Sequence, residues 1–361
     1  MVATNLSRAE APTQPMKVQL VAKAGPGITG TSRYASNLYA GLQAAGLSVS
    51  VACPEPIPMG QAARNLLQRL GLDVSAYFAT YPLRVRPDGA DLHHLTSQTY
   101  ATMLMTQRFE RPVVVTVLDI IPYLLRHDRA LNSLRNPLDY GLYRLSLAGL
   151  KRAAALIAIS AYTKRTLLEA LGLPENRIHV IYPTTDLTVF RPQPVPNAFR
   201  RRYGLAKDAR YVLFVGTNDP RKNLPALVRA LGVLRHRHNG VKLIKVGANP
   251  FAPEWATLQQ LIADLQLQDD ILCFEGVADT DLCLFYNLCD VLILPSFYEG
   301  FGIPVVEAMA CGTPVVCSAR TSLLEVAGEA ALYMDPESVD SLVTVLDEVL
   351  QDPDLRARMR A

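Results

Sequence analysis

Two carboxylates eight positions apart, Glu299 and Glu307, are the residues of this chain best suited to binding hydroxyl groups. They belong to residues 295–314, a segment that follows an apolar run and opens a helix. Glu299 precedes a turn, whereas Glu307 lies about one helical turn past Pro304, so the two acids can address different ends of one ligand. A carboxylate that accepts two hydroxyl hydrogen bonds suits a ribose or a hexose.

The turn between the two acids suits a ligand that approaches the backbone closely. Gly300 and Gly302 remove side chains from it, and Pro304 fits the first turn of the helix that follows. Several amides of residues 301–305 have no partner within that helix, and an anionic ligand would satisfy them. The segment therefore predicts a site for a sugar that carries an anion.

A second segment, residues 216–224, places Arg221 and Lys222 between an apolar run and the start of a helix. A diphosphate needs fixed donors and positive charge; arginine binds it bidentately and lysine acts as a point charge. Taken alone, this segment also fits a helix start with ordinary surface charges.

A third segment contains the pattern GxGxxG at Gly25, Gly27 and Gly30, followed by a helix that we expect to start near Thr31. Its glycines allow a phosphate or a sugar close to the backbone, and the helix N-terminus favours an anion. The pattern is also the outline of a dinucleotide fingerprint, which leaves a nicotinamide-dependent oxidoreductase open. A tight turn without a ligand is the remaining interpretation.

The elements that must position these residues alternate short apolar runs with amphipathic stretches, as in parallel sheets covered by helices on both faces. Strands are predicted at 18–22, 48–52, 91–95, 113–118, 155–159, 179–182, 211–215, 242–246, 271–274, 291–294, 314–317 and 331–334. Pro192, Pro194 and Pro196 predict an extended connector. We predict two α/β domains, residues 1–190 and 191–361, with the ligand between them at the carboxyl ends of the strands.

Composition agrees with two globular domains and excludes several classes of protein. The chain has 361 residues, 50% hydrophobic and 19% charged, which is too long for one ordinary core and too apolar for a disordered protein. A formal net charge of +3 gives no reason to expect nucleic acid as a partner. The cysteines form no CxxC pair, and we expect buried free thiols.

Residues 126–165 form a basic segment with two interpretations. A solvated surface is the first, and peripheral contact with anionic lipid or an acidic acceptor is the second. Residues 1–15 resemble neither a signal peptide nor a membrane anchor, and no apolar run is long enough to span a bilayer. We expect a cytoplasmic protein, with any membrane contact peripheral at the inner face. His93 and His94 have no partners in register and predict packing rather than metal binding.

The motifs together resemble the GT-B retaining glycosyltransferases of family 4. The resemblance rests on residues 299–309 (EGFGIPVVEAM), residues 216–223 (GTNDPRKN) and residues 322–331 (SLLEVAGEAA), and it covers nearly the whole chain. It implies two Rossmann-like domains whose parallel sheets face an interdomain cleft. The N-terminal domain would serve the acceptor and the C-terminal domain the nucleotide sugar.

The resemblance also implies a role for each site residue. Glu307 would bind the donor ribose, Glu299 would contact the transferred sugar, and Arg221 and Lys222 would hold the diphosphate, with Asp119 also in the catalytic set. The implied donor-binding positions are Gly30, Gly216, Thr217, Val277, Gly300, Phe301, Gly302, Ile303 and Glu307. No metal or other cofactor is expected. The donor would be GDP-mannose or a UDP-sugar, with mannose favoured by the sequence PRKN, and the acceptor a saccharide or a lipid-linked saccharide.

The chain departs from the family pattern at three places. Leu118 stands where a histidine that contacts the donor sugar is expected, and residues 183–186 (PTTD) replace the usual Asn-Gly-Val-Asp. The chain also ends at Ala361 in a charged run, before the closing helices that members usually carry, which is consistent with a truncated form. These departures keep open a degenerate protein that binds sugar nucleotides without turnover.

Overall fold

The computed structural model describes residues 15–23, 30–54, 65, 80–132, 134 and 136–360. These residues form two sheets, each of six parallel strands. We call the part that carries the first sheet the N-terminal half and the part that carries the second the C-terminal half. The predicted α/β architecture with two Rossmann-like sheets is confirmed.

The strands lie where the apolar runs predicted them, with ends that shift by one or two residues. In the N-terminal half they are β1 Lys17–Val21, β2 Ser48–Ala52, β3 Leu92–Leu95, β4 Val113–Val117, β5 Ala155–Ala158 and β6 Ile178–Val180. In the C-terminal half they are β7 Arg210–Val215, β8 Val241–Val246, β9 Ile271–Phe274, β10 Val291–Leu294, β11 Val315–Ser318 and β12 Leu332–Met334. Most central strands are buried along nearly their whole length, as expected for a parallel sheet with both faces covered.

Helices connect the strands and cover the sheets. In the N-terminal half they are α1 Gly30–Ala44, α2 Met103–Thr106, α3 Ile121–Leu124, α4 Pro137–Leu150 and α5 Ala161–Leu171. In the C-terminal half they are α6 Asn197–Arg202, α7 Leu224–Arg237, α8 Ala252–Asp264, α9 Asp279–Leu288, α10 Ile303–Ala310, α11 Leu323–Ala327, α12 Val339–Gln351 and α13 Pro353–Arg360. Short 3-10 turns span Gln98–Thr102, Glu175–Arg177, Pro220–Lys222 and Gly328–Ala330.

Strand order determines where a ligand can bind. The order is β2-β1-β3-β4-β5-β6 in the first sheet and β12-β11-β10-β7-β8-β9 in the second. The direction of winding reverses between β1 and β3 and between β7 and β10. In open parallel sheets the ligand crevice lies at the carboxyl ends of the strands beside such a reversal. The loops after β7 and β10 carry the two strongest sequence motifs.

The hydrophobic cores lie against the faces of the two sheets. Two clusters of apolar side chains cover the two faces of the second sheet. A third cluster packs against the first sheet. Residues 181–196 lie between β6 and α6 without helix or strand, as predicted for a proline-rich connector. The exact domain limits at 190 and 191 stay a prediction.

The cysteine prediction is correct for four thiols and wrong for two. All six are free, and Cys283, Cys289, Cys311 and Cys317 are buried, but Cys53 and Cys273 are exposed. The reason is topological. Cys53 directly follows β2, Cys273 lies in β9, and both strands are at the edge of a sheet, where one side lacks a neighbouring strand.

The basic segment presents most of its cations to solvent. Arg126, Arg129, Arg144, Lys151 and Arg152 are exposed, and Arg135 lies outside the described residues. Two of them are hydrogen-bonded to the backbone, since Arg126 donates to the Tyr123 carbonyl and Arg152 to the Leu104 carbonyl, both at 2.9 Å. No helix in the described part of the chain has the length and apolarity to cross a membrane.

Candidate functional site

The first cluster of the site lies where β7 and β10 end side by side. Lys222 Nζ is 2.5 Å from Glu299 Oε1, and Arg221 Nη1 is 3.3 Å from Glu299 Oε2. Ser296 Oγ donates to Glu299 Oε1 at 2.8 Å. Glu299 is only 5% exposed, so its charge is shielded from water and depends on these partners. The structure thus brings the predicted acid and both predicted cations together.

The electrostatics of this cluster favour the charged forms of Glu299 and Arg221. Burial acts to raise the pKa of Glu299, but the charges of Lys222 and Arg221 and the hydrogen bonds from Lys222 and Ser296 lower that pKa below its usual value. Burial acts to lower the pKa of Arg221, yet Glu299, Asp119 and Asp219 together raise it. The cluster therefore holds two cations at the end of β7, and cations are what a diphosphate site requires.

Asp119 reaches this cluster from the N-terminal half. It follows β4, and its Oδ1 accepts a hydrogen bond from the Ile121 amide at 3.1 Å. Burial raises the pKa of Asp119, while the nearby Arg221 acts to lower it. A side chain from the opposite sheet thus completes the charged group around Arg221.

The turn between the two acids packs directly against the N-terminal half. A Cβ atom added to Gly300 would lie 2.3 Å from the Leu118 carbonyl oxygen and 3.1 Å from Asp119 Cβ. Only glycine allows this approach. Thr163 Oγ1 also donates to the Gly300 carbonyl at 3.4 Å. The predicted glycine has a specific structural reason, which is backbone contact between the halves.

The second cluster surrounds Glu307, which lies on α10 and is 1% exposed. Tyr286 Oη donates to Glu307 Oε2 at 2.8 Å, and Arg33 Nη1 donates to Glu307 Oε1 at 2.8 Å. Arg33 belongs to α1 of the N-terminal half and also pairs with Asp279, the first residue of α9. Burial raises the pKa of Glu307 to about 7, although Arg33 and Tyr286 act to lower it. Neighbouring donors and cations therefore offset the burial of Glu307 less than they offset the burial of Glu299.

The starts of α1 and α10 meet between the two clusters. Gly302 precedes α10 with φ of 102°, which favours glycine, and a Cβ atom on Gly30 would lie 3.7 Å from Ile303 Cδ1. Phe301 is buried, and its ring centroid is 5.9 Å from that of Tyr182. Two helix N-termini that converge at one point favour bound negative charge.

The remaining predicted donor positions follow strands β7 and β9 of the second sheet. Gly216 donates its amide to the Val246 carbonyl at 2.9 Å, and Thr217 is half-buried beside it. Val277 precedes α9, and its side chain packs in the core of the C-terminal half, so only its backbone remains for a ligand. Residues 25–29 of the GxGxxG pattern lie outside the described residues.

Leu118, which stands where the family pattern has a histidine, has a structural role in this fold. Leu118 donates its amide to Gln98 Oε1 at 3.0 Å and directs its carbonyl towards Gly300.

His93 and His94 are buried, as predicted for packing. His94 Nε2 is 2.8 Å from Thr116 Oγ1, and burial lowers the pKa of His94 to about 4. Within the described residues, no group of three or more side chains could hold a metal ion.

Sequence reasoning missed the contacts that the N-terminal half makes with the site. Arg33 is the first such residue: a cation in the first turn of a helix opposes the helix dipole, which indicates a partner elsewhere. Glu325, within residues 322–331, is the second such residue. Its carboxylate accepts hydrogen bonds from the Ala161 and Tyr162 amides at 3.0 and 3.2 Å, which caps α5 from the opposite half.

The relatives of this chain among named proteins are glycosyltransferases. The chain is 34% identical over 216 residues to O-antigen chain mannosyltransferase B of Escherichia coli, which covers 57% of this chain and 54% of that protein. It is 30% identical over 219 residues to D-inositol 3-phosphate glycosyltransferase of Thermobispora bispora, covering 58% of this chain and 50% of that protein. The matched region spans about half the length of these relatives.

Solved structures share the architecture over nearly the whole chain. Sucrose-phosphate synthase from Thermosynechococcus elongatus superposes with a TM-score of 0.73 at 22% identity, covering 96% of this chain and 92% of that one. Anabaena Alr3699/HepE, solved in complex with UDP-glucose, superposes with a TM-score of 0.70 at 21% identity and the same coverage. At these identities the likeness establishes the fold.

Two family models divide the chain between them. The model described as Glycosyltransferase Family 4 matches residues 28–189, and the model described as Glycosyl transferases group 1 matches residues 196–361. Each covers one half, and together they account for nearly all of the chain. Each half of the chain therefore matches a glycosyltransferase family model, and the two halves together have the GT-B fold.

Proposed function

We propose that this protein is a retaining glycosyltransferase that moves a hexose from a nucleoside diphosphate sugar to a saccharide or a lipid-linked acceptor. The observation that carries the proposal is the buried cluster of Glu299, Lys222 and Arg221 at the winding reversal of the second sheet. It combines fixed cations with a carboxylate at the place where such folds bind ligands. No cofactor is part of the proposal.

The cations act on the leaving group. Transfer breaks the bond between the anomeric carbon and a phosphate oxygen, so negative charge develops on the diphosphate. Lys222 Nζ contacts Glu299 with one of its three N–H groups, which leaves others for phosphate oxygens. The converging starts of α1 and α10 stabilise the same charge. Glu307 binds the ribose hydroxyls at the other end of the donor.

Glu299 lies nearest the transferred sugar but is a poor nucleophile. Lys222 and Ser296 both donate to its Oε1, and the pKa of Glu299 is lowered, so the carboxylate is a weak nucleophile. Its Oε2 has only Arg221 as a partner in the described structure and keeps a lone pair for a sugar hydroxyl. We therefore assign it to binding sugar hydroxyls. The acceptor oxygen bonds to the anomeric carbon on the face that the diphosphate leaves, and a phosphate oxygen takes the acceptor proton. Configuration is then retained without a covalent enzyme intermediate.

Mannose from GDP-mannose is the favoured donor. O-antigen chain mannosyltransferase B and the mannosyltransferase WbdA, both of Escherichia coli, support mannose, the latter at 28% identity over 277 residues. The UDP-glucose complex of Alr3699/HepE keeps UDP-sugars as competing donors.

A panel of nucleotide sugars tested for thermal stabilisation identifies the donor, because a ligand that binds the folded state raises its unfolding midpoint. Calorimetry on Lys222→Ala and Glu307→Ala then tests the site, and each substitution should weaken binding of the stabilising donor. Unchanged affinity in both variants would contradict the assignment. The anomeric configuration of the product, determined by NMR, tests retention.

The alternatives make different predictions in the same assays. A nicotinamide-dependent oxidoreductase would bind NADH tightly and would not be stabilised by sugar nucleotides. A non-catalytic protein would bind a donor without hydrolysis or transfer.

Peripheral membrane contact at the cytoplasmic face is part of the same proposal. The exposed cations Arg126, Arg129, Arg144, Lys151 and Arg152 favour an anionic surface that presents a lipid-linked acceptor. Co-sedimentation with vesicles that contain phosphatidylglycerol should fall when Arg126, Arg129 and Arg144 are replaced together by glutamine. Equal sedimentation of the variant and the wild type would assign these side chains to ordinary surface.

A further inference from the structure

Arg33 is the side chain that connects the N-terminal half to the carboxylate proposed to bind ribose. Its Nη1 donates to Glu307 Oε1 at 2.8 Å, and its Nη2 pairs with the Asp279 carboxylate. The guanidinium carbon lies 6.0 Å from the centroid of the Phe190 ring. The arginine side chain is 14% exposed, so the contact is largely shielded from water. Two carboxylates and a ring thus fix one guanidinium.

The contact leaves Glu307 able to accept more hydrogen bonds. Arg33 engages one oxygen of Glu307 and Tyr286 engages the other, each through one hydrogen bond. An ionised carboxylate has about four lone-pair positions, so each oxygen retains one. Glu307 and Arg33 also line a cavity of about 290 Å³ between α1, the connector after β6 and α10. Ligand hydroxyls that enter from this cavity can meet the carboxylate.

Among the described residues, only a few charged or titratable side chains influence whether Glu307 is ionised. Those that face it are Arg33 from α1, Asp279 and Tyr286 from α9, and Cys311 just after α10. Arg33 is the cation among these groups, and Asp279 acts against it. Loss of Arg33 would leave a buried carboxylate that burial and Asp279 both favour in its protonated form. A protonated carboxyl is a weaker acceptor for two hydroxyl groups.

We propose that Arg33 is a positioning residue for the donor, which favours the ionised form of Glu307 and orients its carboxylate for two ribose hydroxyls. This inference rests on the proposed function, since it assigns ribose to Glu307. Because Arg33 comes from the N-terminal half and Glu307 from the C-terminal half, the ribose site is complete only when the two halves are together. Arg33 acts through Glu307 and does not itself bind the phosphates.

Calorimetry with GDP, UDP and their 2′,3′-dideoxy analogues tests the inference on the wild type, Arg33→Ala and Arg33→Lys. Arg33→Ala should lower the affinity for the ribonucleotide about ten-fold, the usual effect of losing a hydrogen bond to a charged group. Affinity for the dideoxy analogue, which has no hydroxyls for Glu307, should change by less than about two-fold. Arg33→Lys should restore part of the ribonucleotide affinity.

A matched control replaces an arginine that pairs elsewhere on α9. Arg202→Ala removes the ion pair with Asp281, in which Arg202 Nη1 is 2.9 Å from the carboxylate. It should change neither affinity. Arg33→Lys keeps a cation at the site and serves where Arg33→Ala does not fold, because the ratio of ribonucleotide to dideoxy affinity remains measurable.

The pH dependence gives a second readout. The affinity for the ribonucleotide should rise with pH as Glu307 ionises near its pKa of about 7, and Arg33→Ala should move that rise to higher pH. The dideoxy analogue should show no such shift. A purely structural role for Arg33 would move neither profile.

Three outcomes separate the hypotheses. Equal loss of ribonucleotide and dideoxy affinity in Arg33→Ala would overturn the inference in favour of direct phosphate contact or a folding role. Tighter binding in that variant would overturn it in favour of an arginine that blocks the ribose site. A wild type that binds neither GDP nor UDP would instead refute the proposed function itself.

Discussion

Glu307→Gln should make the protein more stable at pH 8 than the wild type and leave stability near pH 5 much less changed. Burial raises the pKa of Glu307 from 4.5 to about 7 in the folded state. Between these pH values the folded protein retains a proton that the unfolded chain has released. The free energy of unfolding of the wild type therefore falls as pH rises through this window. Glutamine cannot ionise and escapes that loss.

The size of the effect follows from the displacement of the pKa. One pKa unit corresponds to about 1.4 kcal/mol, so the displacement from 4.5 to about 7 corresponds to about 3 kcal/mol once the pH exceeds both values. Glu307 is 1% exposed, so screening by water reduces this little. At pH 5 the unfolded chain is already above its pKa, so the difference in free energy of unfolding between Glu307→Gln and the wild type should grow by about 2.5 kcal/mol from pH 5 to pH 8.

Urea unfolding of both proteins at several pH values measures this difference, because other titrating groups contribute equally and cancel. Tyr286→Phe provides a second variant. It removes a hydrogen bond that lowers the pKa of Glu307, so the stability of that variant should decline further over the same range. A difference between Glu307→Gln and the wild type that stays constant from pH 5 to pH 8 would refute the reasoning.

Three other predictions concern the rest of the site. Lys222→Ala should lower the free energy of unfolding in urea by about 2 kcal/mol, because it removes a charged hydrogen bond to a buried carboxylate. Gly300→Ala should abolish sugar transfer and cost about 1–3 kcal/mol, since its methyl group would meet the Leu118 carbonyl, whereas Gly141→Ala, with no atom within 4 Å, should fold normally. Glu325→Ala should speed hydrogen exchange at the first two amides of α5, which its carboxylate caps at 3.0 and 3.2 Å.

The sheets were predictable because parallel strands that are covered on both faces are continuous apolar runs of fixed length. The run at 291–294 is an example, since its predicted and observed bounds coincide. Edge strands were harder to describe. The exposure of Cys273 depends on the position of β9 in the sheet, and the order of strands is a property of the whole fold.

The two site clusters were predictable to different degrees. Glu299 and the two cations lie in loops after strands that neighbour each other in the sheet, so their meeting follows from topology once the strands are assigned. The pairing of Glu307 with Arg33 joins residues 274 positions apart in different halves. It depends on how the halves pack together, which no local pattern encodes.

The two acids of one motif have opposite electrostatic settings, and the difference indicates different tasks. Glu299 is compensated by two cations, and its lowered pKa makes it a fixed anion at neutral pH. Glu307 has one cation, Arg33, which Asp279 opposes. Its pKa of about 7 shows that the groups around it do not fully offset its burial. Ligand hydroxyls would supply the missing hydrogen bonds, so a bound ribose should gain more at Glu307 than at a carboxylate already satisfied. A glutamate that lowers stability at neutral pH is therefore better explained by donor binding than by folding.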